Sequence, residues 1–339
     1  MLLALIALFF VVIFSMKYCS VGFWPDYIAK SQCNVVKGIF ILLVFLSLFA
    51  SNIAIENRMV IDHLYFSFQG RMGQLIVALF LFYSGYGVMK SISIKGKAYI
   101  DSMPKRRVLK TILNFDMAVF LFVLLSIIVD ADINVITVAF SLIGWDSVRN
   151  DHWYIFVIVL CYVFTWCIAR MNESMDLRSL LLLSGLVIIF ACVLSAIKSI
   201  YWYDTVMCYV LGVWYSRYER QLVPWVQKRY WGVVSLLMCV VLVLTVWSSY
   251  GGVVGNLRAM AFSLLCVMGT MKLRIDNRFL CWCGAMLFPL YIYQRLPMIV
   301  VKECLPGLLS GCWIYISMLL CFGSMLGFGR LYHRWQIVL

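Results

Sequence analysis

The chain has 339 residues, 64% of them hydrophobic and 13% charged, and its 28 Lys and Arg against 15 Asp and Glu give a net charge of +13. No soluble domain needs that much apolar surface, so the composition excludes one and indicates a polytopic membrane protein. The cations are scattered among apolar runs rather than gathered on one patch, which excludes a nucleic-acid binder.

The apolar runs have helical length and lack strand alternation, so an all-α bundle is predicted rather than a barrel. About eleven transmembrane helices are expected, near 2–16, 38–54, 73–90, 108–129, 153–170, 180–198, 204–216, 231–248, 257–271, 279–301 and 310–329. The first run has no cation before it and no small-residue cleavage site after it, and reads as a retained span rather than a signal peptide. The stretch 135–147 is apolar but short, and is expected to be re-entrant or interfacial.

Cations set the orientation. Loop 90–110 carries Lys90, Lys95, Lys97, Lys105, Arg106, Arg107 and Lys110, and loop 217–229 carries Arg217, Arg220, Lys228 and Arg229. Lys272, Arg274 and Arg278 follow in loop 272–278, with Arg330 and Arg334 in the tail. These segments are predicted to be cytoplasmic, with Asp130 and Asp132 on the other side, the N-terminus outside and the C-terminus inside. The thirteen Cys fall mostly within spans, where Cys acts as a small apolar residue. Cys281 and Cys283 form a CxC with no His or second pair nearby, so no metal site is expected, and Cys304 and Cys312 are expected to stay unpaired on the outer side.

One helix stands apart. In VVKGIFILLVFLSLFASNIA (35–54), a single cation, Lys37, opens an apolar run. Position 48 lies about 20° from Lys37 on the helix wheel and roughly 16 Å deeper, so the two share a stripe. This segment resembles the first motif of acyltransferase family 3, in which a cation is followed eleven positions on by a catalytic His. Here that position holds Leu48. Three further pieces carry the same resemblance: GQLIVALFLFYSGYGVM (73–89), KRRVLK (105–110) and GAMLFPLYIYQRLPMIV (284–300). It covers roughly residues 33–329. It implies a ten-helix acyltransferase core within residues 33–339, preceded by an extra N-terminal helix and linker over 1–32.

The resemblance also implies a chemistry: transfer of an acyl group, commonly acetyl from cytoplasmic acetyl-CoA, to a hydroxyl of a surface polysaccharide or its precursor. Such enzymes reside in the bacterial cytoplasmic membrane and need an acyl-CoA donor, a glycan acceptor and surrounding lipid, but neither metal nor nucleic acid. On this reading Lys37 and position 48 are the catalytic pair. Lys105, Arg106, Arg107 and Ser84 are assigned to the donor, with Arg favoured because its guanidinium grips phosphate in a bidentate manner. Arg71, Gln74, Trp153, Tyr154, Gln294 and Arg295 are assigned to the acceptor. Gly85, next to Ser84, is expected to let helices pack closely.

Leucine accepts no proton, and acyl transfer to an alcohol needs a base. The chain as written is therefore expected to be slow or inactive unless another residue serves. Three His are available: His63 and His152 in outer segments and His333 in the tail. His152 also fits an ordinary interfacial place beside Trp153 and Tyr154. Asp116 is an acid within an apolar run, but it lies too far in depth to pair with Arg295. A glycan transporter, or a silent partner subunit on the same scaffold, is the alternative, and CoA binding separates the enzyme from both.

Overall fold

A computed structural model describes residues 1–54, 62–247 and 251–336. The chain runs through α1 (Leu2–Phe14), β1 (Met16–Tyr18), α2 (Lys30–Ala50), α3 (His63–Lys95) and α4 (Lys97–Met103). A π-helical turn, Pro104–Leu109, leads into α5 (Lys110–Ile128), followed by α6 (Val135–Leu142), α7 (Trp153–Met171) and α8 (Leu177–Ile197). Then come α9 (Met207–Lys228), α10 (Tyr230–Val246), α11 (Val253–Lys272), β2 (Leu273–Ile275), α12 (Arg278–Ala285), α13 (Leu287–Tyr293), α14 (Arg295–Cys304) and α15 (Trp313–Gln336).

Among the described residues, seven helices are long and apolar enough to cross a membrane, or up to nine if each of two bent pairs counts as one span. The expected eleven differs at three places. Helix α1 has only 13 residues, roughly 20 Å of rise against a hydrocarbon core of about 30 Å. Helix α9 continues to Lys228 before a 99° bend into α10, so the cations expected in loop 217–229 lie mainly on a helix. The run expected over 279–301 is broken, with a 70° bend between α12 and the α13–α14 segment. The stretch expected at 135–147 forms the eight-residue α6, capped by Asn134, whose side chain accepts from the Ile136 amide.

Long-range pairs sort the loops into two groups. On the cation-rich side, β1 pairs antiparallel with β2, Lys17 binds Asp276, and Arg274 binds Asp26. Glu219 on α9 takes Lys90 at 2.8 Å and also accepts from Tyr27 and Tyr86, while Arg170 binds Asp101. On the opposite side Arg149 pairs with Glu303, Arg295 with Asp151, and the Lys198 ammonium donates to the Trp145 carbonyl.

Among the seven single-helix spans of the described residues, α3 is the most buried and α8 the least. Two helix crossings around α2 and α3 are made by glycines. A Cβ on Gly38 of α2 would overlap the Leu280 carbonyl of α12, and one on Gly284 would overlap the Asn34 carbonyl. Gly85 of α3 and Gly212 of α9 are pressed in the same way against the Tyr209 and Phe82 carbonyls. Without a hydrophobic drive between helices in lipid, such close backbone approach is a main source of cohesion. Gly38→Ala is therefore expected to cost about 1–3 kcal/mol or more and lower the melting temperature in detergent. Gly269→Ala, where the added carbon meets nothing, should leave it unchanged or higher. Equal melting of the two variants would contradict the crossing.

Candidate functional site

Helix α2 carries both ends of the expected pair. Lys37 lies in its first half, and its ammonium faces the Tyr83 ring of α3 at 5.6 Å. Leu48 lies within one turn of the helix end at Ala50, nearer the end than the middle of the span, and it lines a cavity.

That cavity has a volume of about 200 Å³. Helix α2 gives it Val44, Ser47 and Leu48, α3 gives Gly73 and Gln74, α7 gives Trp153, and the segment just before α7 gives Asp151. Tyr291 of α13 closes it. Three residues assigned from sequence, Leu48, Gln74 and Trp153, thus meet in one space. Its polar groups are poorly satisfied: the Gln74 side-chain oxygen and Asp151 Oδ2 are buried without a hydrogen-bond partner. Asp151 Oδ1 accepts from Arg295 Nε at 2.9 Å. Burial raises the Asp151 carboxyl above the usual carboxylate range, and Arg295 opposes the rise. Beside Arg295, at the junction of α13 and α14, Gln294 is fully buried with neither amide atom paired. Buried polar atoms are seldom left unpaired, so these groups suit a polar ligand.

The second assembly lies around Lys37. The π-helical turn that opens with Pro104 widens the helix, its wide bond running from the Lys110 amide to the Lys105 carbonyl. Through it Arg107 is half-buried, donating to the Tyr99 hydroxyl at 3.1 Å and lying 5.9 Å from the Tyr162 ring centroid. Lys105 and Arg106 are exposed instead. Lys37 and Arg107 are close enough for their like charges to repel, and among the described residues neither forms an ion pair. Two inward cations without an acid suit an anionic group such as a phosphate.

Ser84 joins the two assemblies. It lies beside Tyr162, whose ring faces Arg107, and beside Tyr154, whose ring packs on Tyr291 at 5.4 Å. A polar line therefore runs from Arg107 through Tyr162, Ser84 and Tyr154 to the cavity wall.

Other expected residues stand apart. His152 does not line the cavity; its ring lies 5.3 Å from Trp202, and Nδ1 is 3.3 Å from the Asn150 carbonyl. Burial lowers its pKa. His63 is exposed at the start of α3. Asp116 has a buried Oδ1 without a partner, and Arg295 pairs with Asp151 rather than with it. The side chains of Arg71 and His333 lie outside the described residues. Among the described residues, no cluster of His, Cys, Asp and Glu is placed to hold a metal.

Sequence reasoning missed Asp151, Tyr291, Tyr99 and Tyr162. Asp151 sits in NDHWY beside residues that were singled out, but an acid at the mouth of a span reads as an ordinary loop charge. Tyr291 falls inside the quoted 284–300 piece without an ionisable group to mark it.

Residues 30–328 match the family model described as an acyltransferase domain, that of acyltransferase family 3. No curated protein and no solved structure matches the chain.

Proposed function

The chain belongs to acyltransferase family 3, and from that premise we propose that it is a membrane O-acyltransferase. It carries an acyl group, most simply acetyl, from cytoplasmic acyl-CoA to a sugar hydroxyl of a surface polysaccharide or its precursor. The observation that carries this reading is the polar line between two unlike assemblies: inward cations at one end and a ligand-sized cavity around position 48 at the other. Lys37 and Arg107 hold the phosphorylated end of the donor, on the side where Lys and Arg accumulate. The thioester reaches along α2 toward Leu48, where the acceptor hydroxyl meets it. Gln74, Trp153 and the Asp151–Arg295 pair line or border that meeting place. They offer hydrogen bonds and an aromatic face to a sugar. Leu48 supplies no proton acceptor, so the chain as written is a slow enzyme.

The test is release of CoA thiol from acetyl-CoA by the purified chain, with and without added glycerol or glucose. Thiol release that rises with the added hydroxyl supports the reading. No release by the chain or by Leu48→His removes it.

Orientation has its own check. Cys304 and Cys312 are free and exposed in the segment predicted to lie outside. A membrane-impermeant maleimide should label them in intact cells and leave Cys19, beside β1, unlabelled until the cells are opened. The reverse pattern would invert the topology and place the Lys37–Arg107 end away from cytoplasmic CoA.

A further inference from the structure

The acyl-transfer reading leaves a proton without a destination. The hydroxyl must lose it as its oxygen attacks the thioester carbon, and Leu48 cannot take it. The cavity around Leu48 contains one carboxylate among its described lining residues, Asp151. Ser47 and Gln74 are neutral hydrogen-bonding groups, Trp153 only donates, and the Tyr291 phenol is protonated near neutral pH. His152 is turned to Trp202 and is not in the wall.

Asp151 also has the geometry of a base. Arg295 Nε holds Oδ1 at 2.9 Å, which fixes the carboxylate plane. Oδ2 is buried and makes no hydrogen bond. An ionised oxygen left in that state is costly unless something donates to it. A hydroxyl bound in the cavity would be such a donor. Burial strengthens the base, and the Arg295 charge opposes that rise.

We propose that Asp151 accepts the proton of the acceptor hydroxyl, with Arg295 as its positioning residue, in place of the base that position 48 lacks. The inference rests on the acyl-transfer reading above. In the step, the hydroxyl oxygen forms a bond to the thioester carbonyl carbon while its proton passes to Asp151 Oδ2. The carbon–sulfur bond then breaks, sulfur leaves with the bonding pair as a thiolate, and the proton held by Asp151 is returned to that sulfur. Ester and free thiol are produced, and the carboxylate is regenerated. No metal or redox partner is needed.

The experiment measures thiol release and ester formation from acetyl-CoA and glycerol by the purified full-length chain, in a four-variant cycle. Asp151→Asn keeps an oxygen for Arg295 but removes the base. It should lower kcat of the chain as written by about 10- to 100-fold, with KM for acetyl-CoA changed less than about threefold. Placed on Leu48→His, the same Asp151→Asn change should cost less than about threefold, because the introduced imidazole takes over. A merely structural role for the Asp151–Arg295 pair would cost the same in both backgrounds, and that result overturns the proposal. So does an Asp151→Asn rate within about threefold of the chain as written. If Leu48→His is active while the chain as written is not, the acyl-transfer reading stands and the role of Asp151 falls. If neither is active, the acyl-transfer reading itself falls and takes the proposal with it.

Discussion

Leu48→His, introduced into the Asp151→Asn variant, is expected to raise the rate of acyl transfer by about 10²–10⁴-fold. That range is the usual worth of a positioned general base, and the variant is designed to have none. In the chain as written the gain should be smaller, on the order of 10- to 100-fold, because Asp151 already serves as a base. The expectation depends on place. Position 48 is in the cavity wall, opposite groups from α3, α7 and α13, so an imidazole there would face the bound hydroxyl. Histidine suits the task because its ordinary pKa, about 6.5, lies near the working pH. Ester formation per unit of folded protein is the measurement. A gain confined to KM, with kcat unchanged, would mean that the imidazole only helps binding.

The second large effect concerns the donor. Arg107→Ala should weaken CoA binding by about 2–4 kcal/mol, which is roughly 30- to 1,000-fold in Kd. Arg107 is turned inward between Tyr99 and Tyr162, so its charge acts where water screens it little. Arg106 is exposed one residue earlier. Its loss should cost about twofold to threefold and vanish as salt is raised. Titration calorimetry of CoA into the purified chain, at low and at high ionic strength, separates the two. Equal, salt-sensitive losses would show that these residues act only as a diffuse positive surface, and Arg107→Ala with full affinity would remove it from the donor site.

Much of this site was legible in the chain. Helical geometry placed Lys37 and position 48 on one stripe, and both face inward in the folded protein, the one to Tyr83 and the other to the cavity. Gln74 and Trp153 were picked out as polar or aromatic residues at span mouths, and the fold brings them to the same cavity. What stayed hidden depends on packing between segments far apart in sequence. Nothing in NDHWY shows that Asp151 meets Arg295, 144 positions later, because the pair forms only in the folded bundle, beyond the 70° bend between α12 and the α13–α14 segment. The division of labour between Arg106 and Arg107 was equally hidden. A π-helical turn changes which side chains point inward, and a search for apolar periodicity assumes regular 3.6-residue turns. The bend after Lys228 was missed for a related reason: hydropathy marks where apolar residues lie, while a cation-rich helix end reads as a loop.

The central claim is that the thioester arrives at position 48. It can be tested without knowing the natural acceptor by placing a thiol there. The purified Leu48→Cys chain would be incubated with acetyl-CoA, digested, and examined by mass spectrometry for acetylated cysteine. The added thiol should become acetylated, faster than any of the thirteen native cysteines, and Arg107→Ala should suppress the labelling. Acetylation confined to native cysteines, with position 48 left free while CoA is bound, would contradict the account.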